Sequence, residues 1–457
     1  MASYVKGLNK EKEVFIRKLS THAKDSNYIN PELYTKYEVK RGLRDISGKG
    51  VLAGLTEVGE VHAYVLDENE LIPVPGRLIY RGIDIYDLTT GFLREDRFGF
   101  EEVAYLLLCG VLPNEGILKE FKEYLADSQV MDDAFVRNTI LEIPSRDIMN
   151  TLARGVLTLY NYDDNPDDIS IENVIRQSLE LIAKVPLIAV YGYQAYVHKY
   201  LNQSLVLHSP KEGLSIAENI LHMLRPDSKY TKLEATILDL LLVLHAEHGG
   251  GNNSTFTTHV VTSTGTDTYS AISAAIASLK GPRHGGANIK VRQMFKNIKA
   301  TLKDWEDEDE IKDYLLKILR KEAFDRSGLI YGIGHAVYSI SDPRSEILKG
   351  YAQQLAKEKG YEKEFNLYER VEKLAPEIIA KERKMYKGVC ANVDYYSGLV
   401  YNMLGIPGEL FTPLFAVSRV VGWCAHRVEE LVNAGKIVRP AFKSVAERKE
   451  YIPLKSR

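Results

Sequence analysis

The chain has 457 residues, of which 45% are hydrophobic and 26% are charged. Lys and Arg total 59 against 62 Asp and Glu. This near-neutral balance excludes a strong electrostatic attraction of the whole protein to nucleic acid or to an anionic membrane surface. No apolar run reaches the roughly 18 residues of a bilayer-spanning helix, and residues 1–19 lack the apolar core of a signal peptide. Three scattered cysteines indicate a reducing compartment, so we expect a cytoplasmic protein. From the charge balance and the short apolar runs, we expect it to bind neither nucleic acid nor membrane.

Strand patterns are confined mostly to residues 51–82, where VHAYVL and RLIYRG flank a turn and predict one or two small hairpins near the amino terminus. Helical spacing of apolar residues dominates elsewhere. The predicted helices cover 103–111, 233–244, 269–280, 306–323, 345–357, 362–385 and 414–433. Pro376 is expected to break or kink the helix that contains it. The Ala- and Ser-rich face of 269–280 predicts a close helix pair or a subunit contact. Because strands do not alternate with helices, we predict a mainly α fold rather than a doubly wound sheet.

Four of the eleven histidines fall between residues 245 and 284. In HAEHGGGNNST (245–255), His245 and His248 share one helix face, which is compatible with a metal pair or with ordinary core and capping roles. The metal interpretation is the weaker one, since His-Glu-x-x-His is absent and no cysteine lies nearby. In GPRHGGAN (281–288), His284 precedes a Gly-Gly pair that lacks the following Lys and Ser/Thr of a phosphate-binding loop.

Further candidates lie in the last third of the chain. One of them is the glycine-rich segment GLIYGIGHAVYSISDPRSE (328–346), in which three glycines precede His335 and Arg344 follows. The segment does not contain the GxGxxG motif of a dinucleotide-binding site. In CANVDYYSG, Asp394 lies near a helix start, where a carboxylate is usually a cap. Arg419 interrupts the apolar helix LFAVSRVVGWCAHRV, and Arg439 follows in IVRP. A buried arginine needs an anion, which is either a structural carboxylate or a substrate.

These motifs, in this order and spacing, resemble the citrate synthase family. FEEVAYLLLCGVLPN and GRLIYRGIDIYDL are similar to its amino-terminal part, and SRVVGWCAHRVEE with IVRP to its end. The resemblance covers nearly all of the chain after about residue 40. It implies a helical homodimer, each subunit having a large multi-helix domain (1–285 and 405–457) and a smaller helical domain (286–404) that closes over the active site.

The resemblance also implies roles for single residues. His284 matches the histidine that hydrogen-bonds the thioester oxygen of acetyl-CoA, Asp394 the base that removes a methyl proton, and His335 the histidine that protonates the ketone of oxaloacetate. Residues that match the oxaloacetate-binding set are His248, Arg344, Arg419 and, from the partner subunit, Arg439. The backbone of Gly332, Ile333 and Gly334 matches the CoA-binding loop.

The reaction implied by the resemblance joins acetyl-CoA, oxaloacetate and water to give citrate and CoA. We expect no metal and no cofactor, because the CoA thioester is itself a substrate. Two alternatives stay open: a 2-methylcitrate synthase that uses propionyl-CoA, and a non-catalytic homologue that binds CoA or an acid. Where several relatives have a basic residue soon after the histidine of the third motif, this chain has Tyr338, Ser339 and Ile340. No side chain is therefore assigned to the CoA phosphates.

Overall fold

The computed structural model describes residues 10–45, 50–67, 70–335, 337–384, 388–433 and 435–456. The chain divides into two units, residues 1–54 and residues 55–457. The described elements of the first unit are helices α1 (Lys10–Ser26) and α2 (Glu32–Lys36) and a 3-10 turn at Arg41–Leu43. All candidate site residues lie in the second unit.

The second unit begins with a small antiparallel sheet of strands β1 (Gly59–Asp67), β2 (Glu70–Tyr80) and β3 (Ile83–Asp84) in the order β1-β2-β3. Gly59 pairs with Tyr80, and a bulge between His62 and Tyr64 shifts the register of the first pair. The sheet confirms the hairpin prediction for this region. Residues 68 and 69 of its turn lie outside the described residues.

Helices make up nearly all the remaining regular secondary structure of the second unit, which confirms the mainly α prediction. They are α3 (Ile85–Arg94), α4 (Phe100–Cys109), α5 (Glu115–Asp127), α6 (Asp133–Phe135), α7 (Ile148–Leu159), α8 (Ile171–Leu201), α9 (Ile216–Leu224), α10 (Lys232–His245), α11 (Asn253–Thr262), α12 (Thr268–Lys280), α13 (Ala287–Thr301), α14 (Glu308–Leu319), α15 (Pro343–Lys359), α16 (Glu362–Arg383), α17 (Val393–Met403) and α18 (Phe411–Val432). A π-helical stretch at Val136–Leu141 and short 3-10 turns at Tyr160–Tyr162, Gly408–Leu410 and Leu454–Ser456 complete the described elements.

Most helix ends follow the capping chemistry of the sequence. Thr231 and Glu234 form a reciprocal capping box at the start of α10, and Asn252, Asp267 and Asn392 cap α11, α12 and α17 with their side chains. The predicted helices are all present with ends shifted by up to a few residues. The helix is not broken at Pro376, because α16 continues through it with buried residues on both sides, and the alternative of a kink there stays a prediction.

Helices α10 and α18 pack against each other and position the site. The apolar residues of α10 are buried, as expected for a core helix, and its one carboxylate in the apolar run, Asp239, has a structural role. Asp239 accepts hydrogen bonds from the backbone N–H groups of Gly99 and Phe100, at 2.7 and 3.2 Å, and so caps α4. In the part of the chain that the structure describes, no helix is both long and apolar enough to cross a bilayer.

The small-residue face of α12 packs against α7 and α11, so the close helix pair predicted for 269–280 is present within one chain. We expect a large domain (1–285 and 405–457) and a small domain (286–404). The boundaries between these two domains both lie within the second unit. This division stays a prediction.

Candidate functional site

His245 is the last residue of α10 and His248 lies beyond the helix end, so the prediction that the two share one helix face is wrong. Nδ1 of His245 lies 2.9 Å from the carbonyl oxygen of Leu241, so this ring is tied to its own helix. Burial lowers the pKa of His245 to about 3. His248 lies beyond the helix end, and burial followed by the charge of Arg344 lowers its pKa well below the usual value. Its Nε2 atom is buried without a hydrogen-bond partner among the described residues.

The ring of His284 is oriented by the start of α11. Its Nε2 atom accepts a hydrogen bond from the backbone N–H of Ser254 at 3.2 Å. The Ser254 hydroxyl is itself held, because it lies 3.0 Å from Asn252 Oδ1 and accepts from Trp423 Nε1 at 3.1 Å. Burial, and then the charge of Arg419, lower the pKa of His284 to about 4. The ring is therefore neutral at physiological pH, with its proton on Nδ1, where it can be donated to a ligand.

His335 is held in the opposite tautomer. Its Nδ1 atom accepts hydrogen bonds from the backbone N–H groups of Val337 and Tyr338, at 3.0 and 3.1 Å. The ring stacks on Tyr338 and meets the ring of His248 edge to face, with centroids 5.2 Å apart. Burial, followed by the charge of Arg344, lowers the pKa of His335 to about 4. A neutral ring that accepts at Nδ1 has its donor at Nε2.

Arg344 forms a buried bidentate ion pair with Asp342 at the start of α15. Nε and Nη2 of Arg344 lie 3.0 and 2.7 Å from the two carboxylate oxygens. Burial lowers the pKa of Arg344, but the neighbouring Asp342 carboxylate raises it by more, so the pKa of the guanidinium stays above its usual value. Asp342 also accepts from the backbone N–H of Val393, at 3.2 Å, and so joins α15 to the start of α17.

Arg419 is buried in α18 without a bidentate partner. Its Nε donates to the carbonyl oxygen of His245 at 2.6 Å, and its guanidinium lies over the ring of Phe415. Its Nη2 atom is buried and has no hydrogen-bond partner among the described residues. Burial lowers its pKa to about 10, so it remains a cation. A buried cationic donor of this kind is suited to an anionic ligand.

Asp394 occupies the first turn of α17, but it is not the cap. Asn392 caps the helix and accepts from the backbone N–H of Asp394 at 3.0 Å, which leaves the Asp394 carboxylate available for another partner. Burial raises its pKa to about 6, although the charges of Arg344 and Arg419 oppose the shift. A half-buried carboxylate with a pKa near 6 is a suitable base at neutral pH.

The glycine track lies beside the segment that leads to Asp394. Ile333 pairs with Ala391 in an isolated bridge, and Gly334 donates its N–H to the carbonyl oxygen of Cys390 at 2.7 Å. Gly332 has φ of +83°, and a Cβ there would lie 2.8 Å from the side chains of Tyr395 and Val291. Only glycine fits this position without strain.

Six of the seven candidate catalytic and oxaloacetate-binding residues lie within range of the charges of Arg344 and Arg419. Arg344 and Arg419 both act on His248 and Asp394, while Arg419 also acts on His284 and Arg344 on His335. Arg439 is the exception, because it is exposed in the irregular segment after α18. The adjacent Val438 anchors that segment through its N–H to Ser263 Oγ at 3.1 Å.

Sequence patterns alone do not identify the residues that orient this cluster. They are Ser254, Asp342 and Asn392, together with the backbone N–H groups of Val337 and Tyr338. Asp342 had a usable signal, because Asp followed by Pro is typical of a helix start. No local sequence pattern identifies Ser254, since its contact with His284 spans thirty residues.

Comparison with known proteins gives consistent matches over most of the chain. The family model described as "Citrate synthase, C-terminal domain" matches residues 47–441. Citrate synthase from Haloferax volcanii is 34% identical over 90% of this chain and 97% of its own length. 2-Methylcitrate synthase from Shewanella oneidensis is 33% identical over 83% of this chain and 92% of its own.

A solved structure extends the comparison to a liganded form. Citrate synthase from Thermoplasma acidophilum, in ternary complex with carboxymethyl coenzyme A and oxaloacetate, superposes with a TM-score of 0.74 at 27% identity. The match covers 92% of this chain and 99% of that one.

Proposed function

The chain belongs to the citrate synthase family, and we propose that it condenses acetyl-CoA with oxaloacetate and water to give citrate and CoA. One observation carries the proposal. Two neutral histidines held in opposite tautomers, His284 and His335, lie in one electrostatic cluster with Asp394, whose pKa is raised to about 6. Two donors and one base are the groups that an enolisation followed by a condensation requires.

The first step is removal of a proton from the acetyl methyl group. The Asp394 carboxylate accepts this proton, and negative charge develops on the thioester oxygen. Nδ1–H of His284 donates a hydrogen bond to that oxygen, because its Nε2 is already used by Ser254. A positioned donor of this kind contributes roughly 3–4 kcal/mol to the stability of a developing oxyanion.

Carbon–carbon bond formation follows. The methylene carbon of the enolate attacks the ketone carbon of oxaloacetate, and Nε2–H of His335 donates its proton to the ketone oxygen. The proton that Asp394 took from the methyl group is returned to the His335 ring, so that both groups regain their starting states. Water then hydrolyses the thioester of the condensed product, which releases citrate and CoA. No step in this scheme requires a metal or a cofactor, since the thioester activates its own methyl group.

Oxaloacetate is a dianion, and the cluster supplies cationic donors for it. Nη2 of Arg419 is the donor best placed for one carboxylate, because it is buried and lacks another hydrogen-bond partner. Arg344 contributes charge and the part of its guanidinium that Asp342 does not use. His248 completes the set from the segment that follows α10, with a buried Nε2 atom that also lacks a hydrogen-bond partner among the described residues.

For Arg439 we propose a contribution in trans, within a homodimer. The segment that contains it is extended and exposes large apolar side chains, with 61% of Ile437 and 96% of Phe442 accessible. A second copy of the chain would cover these side chains and receive Arg439 in its oxaloacetate site. Closure of 286–404 over the substrates would then exclude water until condensation is complete.

We place this activity in the cytoplasm, where it would supply citrate to the tricarboxylic acid cycle. Cys109, Cys390 and Cys424 are all free thiols, as suits a reducing compartment. We propose that the backbone of Gly332, Ile333 and Gly334 binds CoA. Both glycines have positive φ, a conformation that residues other than glycine rarely adopt.

Use of propionyl-CoA to make 2-methylcitrate is the second candidate, favoured by the similarity to the Shewanella oneidensis protein. One extra methylene is worth only about 1–3 kcal/mol in a pocket, and the same catalytic groups serve both substrates.

Release of free CoA tests the proposed function against a non-catalytic role. Purified protein is mixed with acetyl-CoA and oxaloacetate, and the new thiol is measured together with citrate. We expect equimolar CoA and citrate, neither of which forms when oxaloacetate is omitted. Tight binding of both substrates without any CoA release would instead identify a non-catalytic homologue.

A further inference from the structure

A second cluster of ionisable side chains lies at the junction of α11 and α18, apart from the groups that serve the proposed reaction. Nε2 of His259 and Nδ1 of His426 face each other at 3.1 Å. These residues are far apart in the sequence, and the packing of α11 on α18 brings them together. Within the described ranges, they and Glu429 are the group whose ligand-type atoms all lie within 4.8 Å of one another.

Both histidines are backed by carboxylates on the side away from this contact. Nδ1 of His259 lies 2.8 Å from Oε2 of Glu430, and Nε2 of His426 lies 3.1 Å from Oε1 of Glu247. Metal-binding histidines usually donate their outer nitrogen to a carboxylate, which fixes the ring and leaves the inner nitrogen for the ion. The pair of His259 and Glu430 has this arrangement. Nε2 of His426 lies close to a carboxylate of Glu247, but those two atoms do not form an aligned hydrogen bond.

Glu429 supplies the third inward-facing atom. Its Oε1 accepts a hydrogen bond from the backbone N–H of Glu57 at 2.7 Å, which fixes the carboxylate. Its Oε2 lies 3.7 Å from Nδ1 of His426 and is buried with no hydrogen-bond partner among the described residues. An acceptor oxygen without a donor, fixed beside two imidazole nitrogens, is well placed to bind a cation.

The geometry fits a small ion. Zinc holds imidazole nitrogen and carboxylate oxygen at about 2.0–2.2 Å, so neighbouring ligand atoms in a tetrahedral site are about 3.3–3.6 Å apart. Two of the three pairs of ligand atoms, at 3.1 and 3.7 Å, bracket that range, and the third pair lies within 4.8 Å. The side chain of His259 is 15% accessible and that of Glu430 is 19% accessible, which gives an ion a route from solvent.

We propose that His259, His426 and Glu429 bind a divalent transition-metal ion of the zinc class, with Glu430 and Glu247 as the carboxylates that orient the two rings. Two imidazoles and one carboxylate suit Zn²⁺ and leave a fourth position for water. The ion would join α11 to α18. The three ligand residues do not serve the proposed reaction, although Glu247 directly precedes His248 and interacts with Arg419. Binding of metal and release of CoA are therefore measured separately, on variants that leave Glu247 unchanged.

Isothermal titration of the chelator-treated, full-length protein with ZnCl₂ measures the site. We expect one zinc ion bound per chain. His259→Gln and Glu429→Gln each remove a ligand and should weaken binding by at least about 100-fold, while Glu430→Gln, which removes only an orienting carboxylate, should weaken it by about 10- to 100-fold. His222→Gln is the matched control, since it removes one ring of the other close pair, His208 and His222, whose centroids are 5.7 Å apart. The zinc affinity of the His222→Gln variant should equal that of the wild type.

Titration of the wild type with Co²⁺ gives a second readout that needs no variant. A histidine- and carboxylate-bound, four-coordinate cobalt ion produces intense visible ligand-field bands, and zinc should abolish them. The proposal is overturned if the wild type binds no zinc and shows no such bands, in which case the two rings share only a hydrogen bond. It is equally overturned if folded His259→Gln and Glu429→Gln bind zinc as the wild type does.

Discussion

At the scale of single residues, the main chain decides what each histidine of the site can do. His284 accepts at Nε2 from Ser254, whereas His335 accepts at Nδ1 from two consecutive backbone N–H groups. Each ring therefore offers its proton from a different nitrogen, and burial keeps both rings neutral. A neutral imidazole fixed in one tautomer donates without first having to reorient.

Asp394→Asn should lower kcat by about 10²- to 10⁴-fold, since it removes the base and keeps the shape of the side chain. Binding of oxaloacetate, measured by calorimetry, should stay within a few-fold of wild type because the arginines remain. A variant with near wild-type kcat would refute the assignment of Asp394 as the base.

The pH dependence of kcat/KM should report the same carboxylate. Asp394 acts as a base only when ionised, and its pKa is raised to about 6, so the rate should fall as pH drops through about 6. His284 and His335 have pKa values of about 4, and they stay neutral across that range. A rate that stays constant down to pH 4.5 would contradict this account.

Arg419→Leu should raise the KM for oxaloacetate by about 100-fold or more, since a buried cationic donor is lost from a dianion site. The apparent affinity for CoA should change far less, and that difference distinguishes lost recognition from general misfolding. Steady-state kinetics with each substrate varied in turn, together with a circular dichroism spectrum, measure both. Unchanged KM for oxaloacetate would place the anion elsewhere.

At the scale of elements, local patterns predicted more of the helices than of the contacts between them. The stripe at 233–244 and the small-residue face at 269–280 correspond to α10 and α12 almost to their ends. Pro376 did not interrupt α16, because packing of the surrounding helix overrides the local preference.

The site itself was predicted only through the order of its motifs. No spacing rule brings together Ser254 with His284, or His259 with His426, because helix packing makes these contacts. Likewise, the sequence suggested Asp394 as a cap, whereas the structure gives that role to Asn392.

Gly332→Ala should destabilise the track beside α17. The backbone has φ of +83°, and the new Cβ would lie 2.8 Å from two side chains, so we expect about 1–3 kcal/mol less free energy of unfolding and a higher KM for acetyl-CoA. Gly350→Ala is the control, because it lies within α15 with open space around its Cβ position, and it should be neutral or slightly stabilising. Denaturant unfolding of both variants measures the difference, and equal stabilities would contradict the strain argument.

At the scale of the whole molecule, the net charge of -3 conceals two buried arginines, Arg344 paired with Asp342 and Arg419 without a bidentate partner, which both act on Asp394. The proposed homodimer would add Arg439 to them from a second chain. Mixed dimers test that arrangement. Arg439→Leu and Asp394→Asn should each be nearly inactive alone, yet a refolded equal mixture should regain about one quarter of wild-type activity, because half of the dimers then contain one complete site. No recovery on mixing would place Arg439 in the site of its own chain.

The acyl-CoA preference of the wild-type protein decides whether it makes citrate or 2-methylcitrate. The kcat/KM values for acetyl-CoA and propionyl-CoA are compared with oxaloacetate saturating, and the products are identified by mass. The account predicts that acetyl-CoA is the better substrate and that citrate is the product. A clear preference for propionyl-CoA with 2-methylcitrate as the product, or no condensation with either thioester, would contradict it.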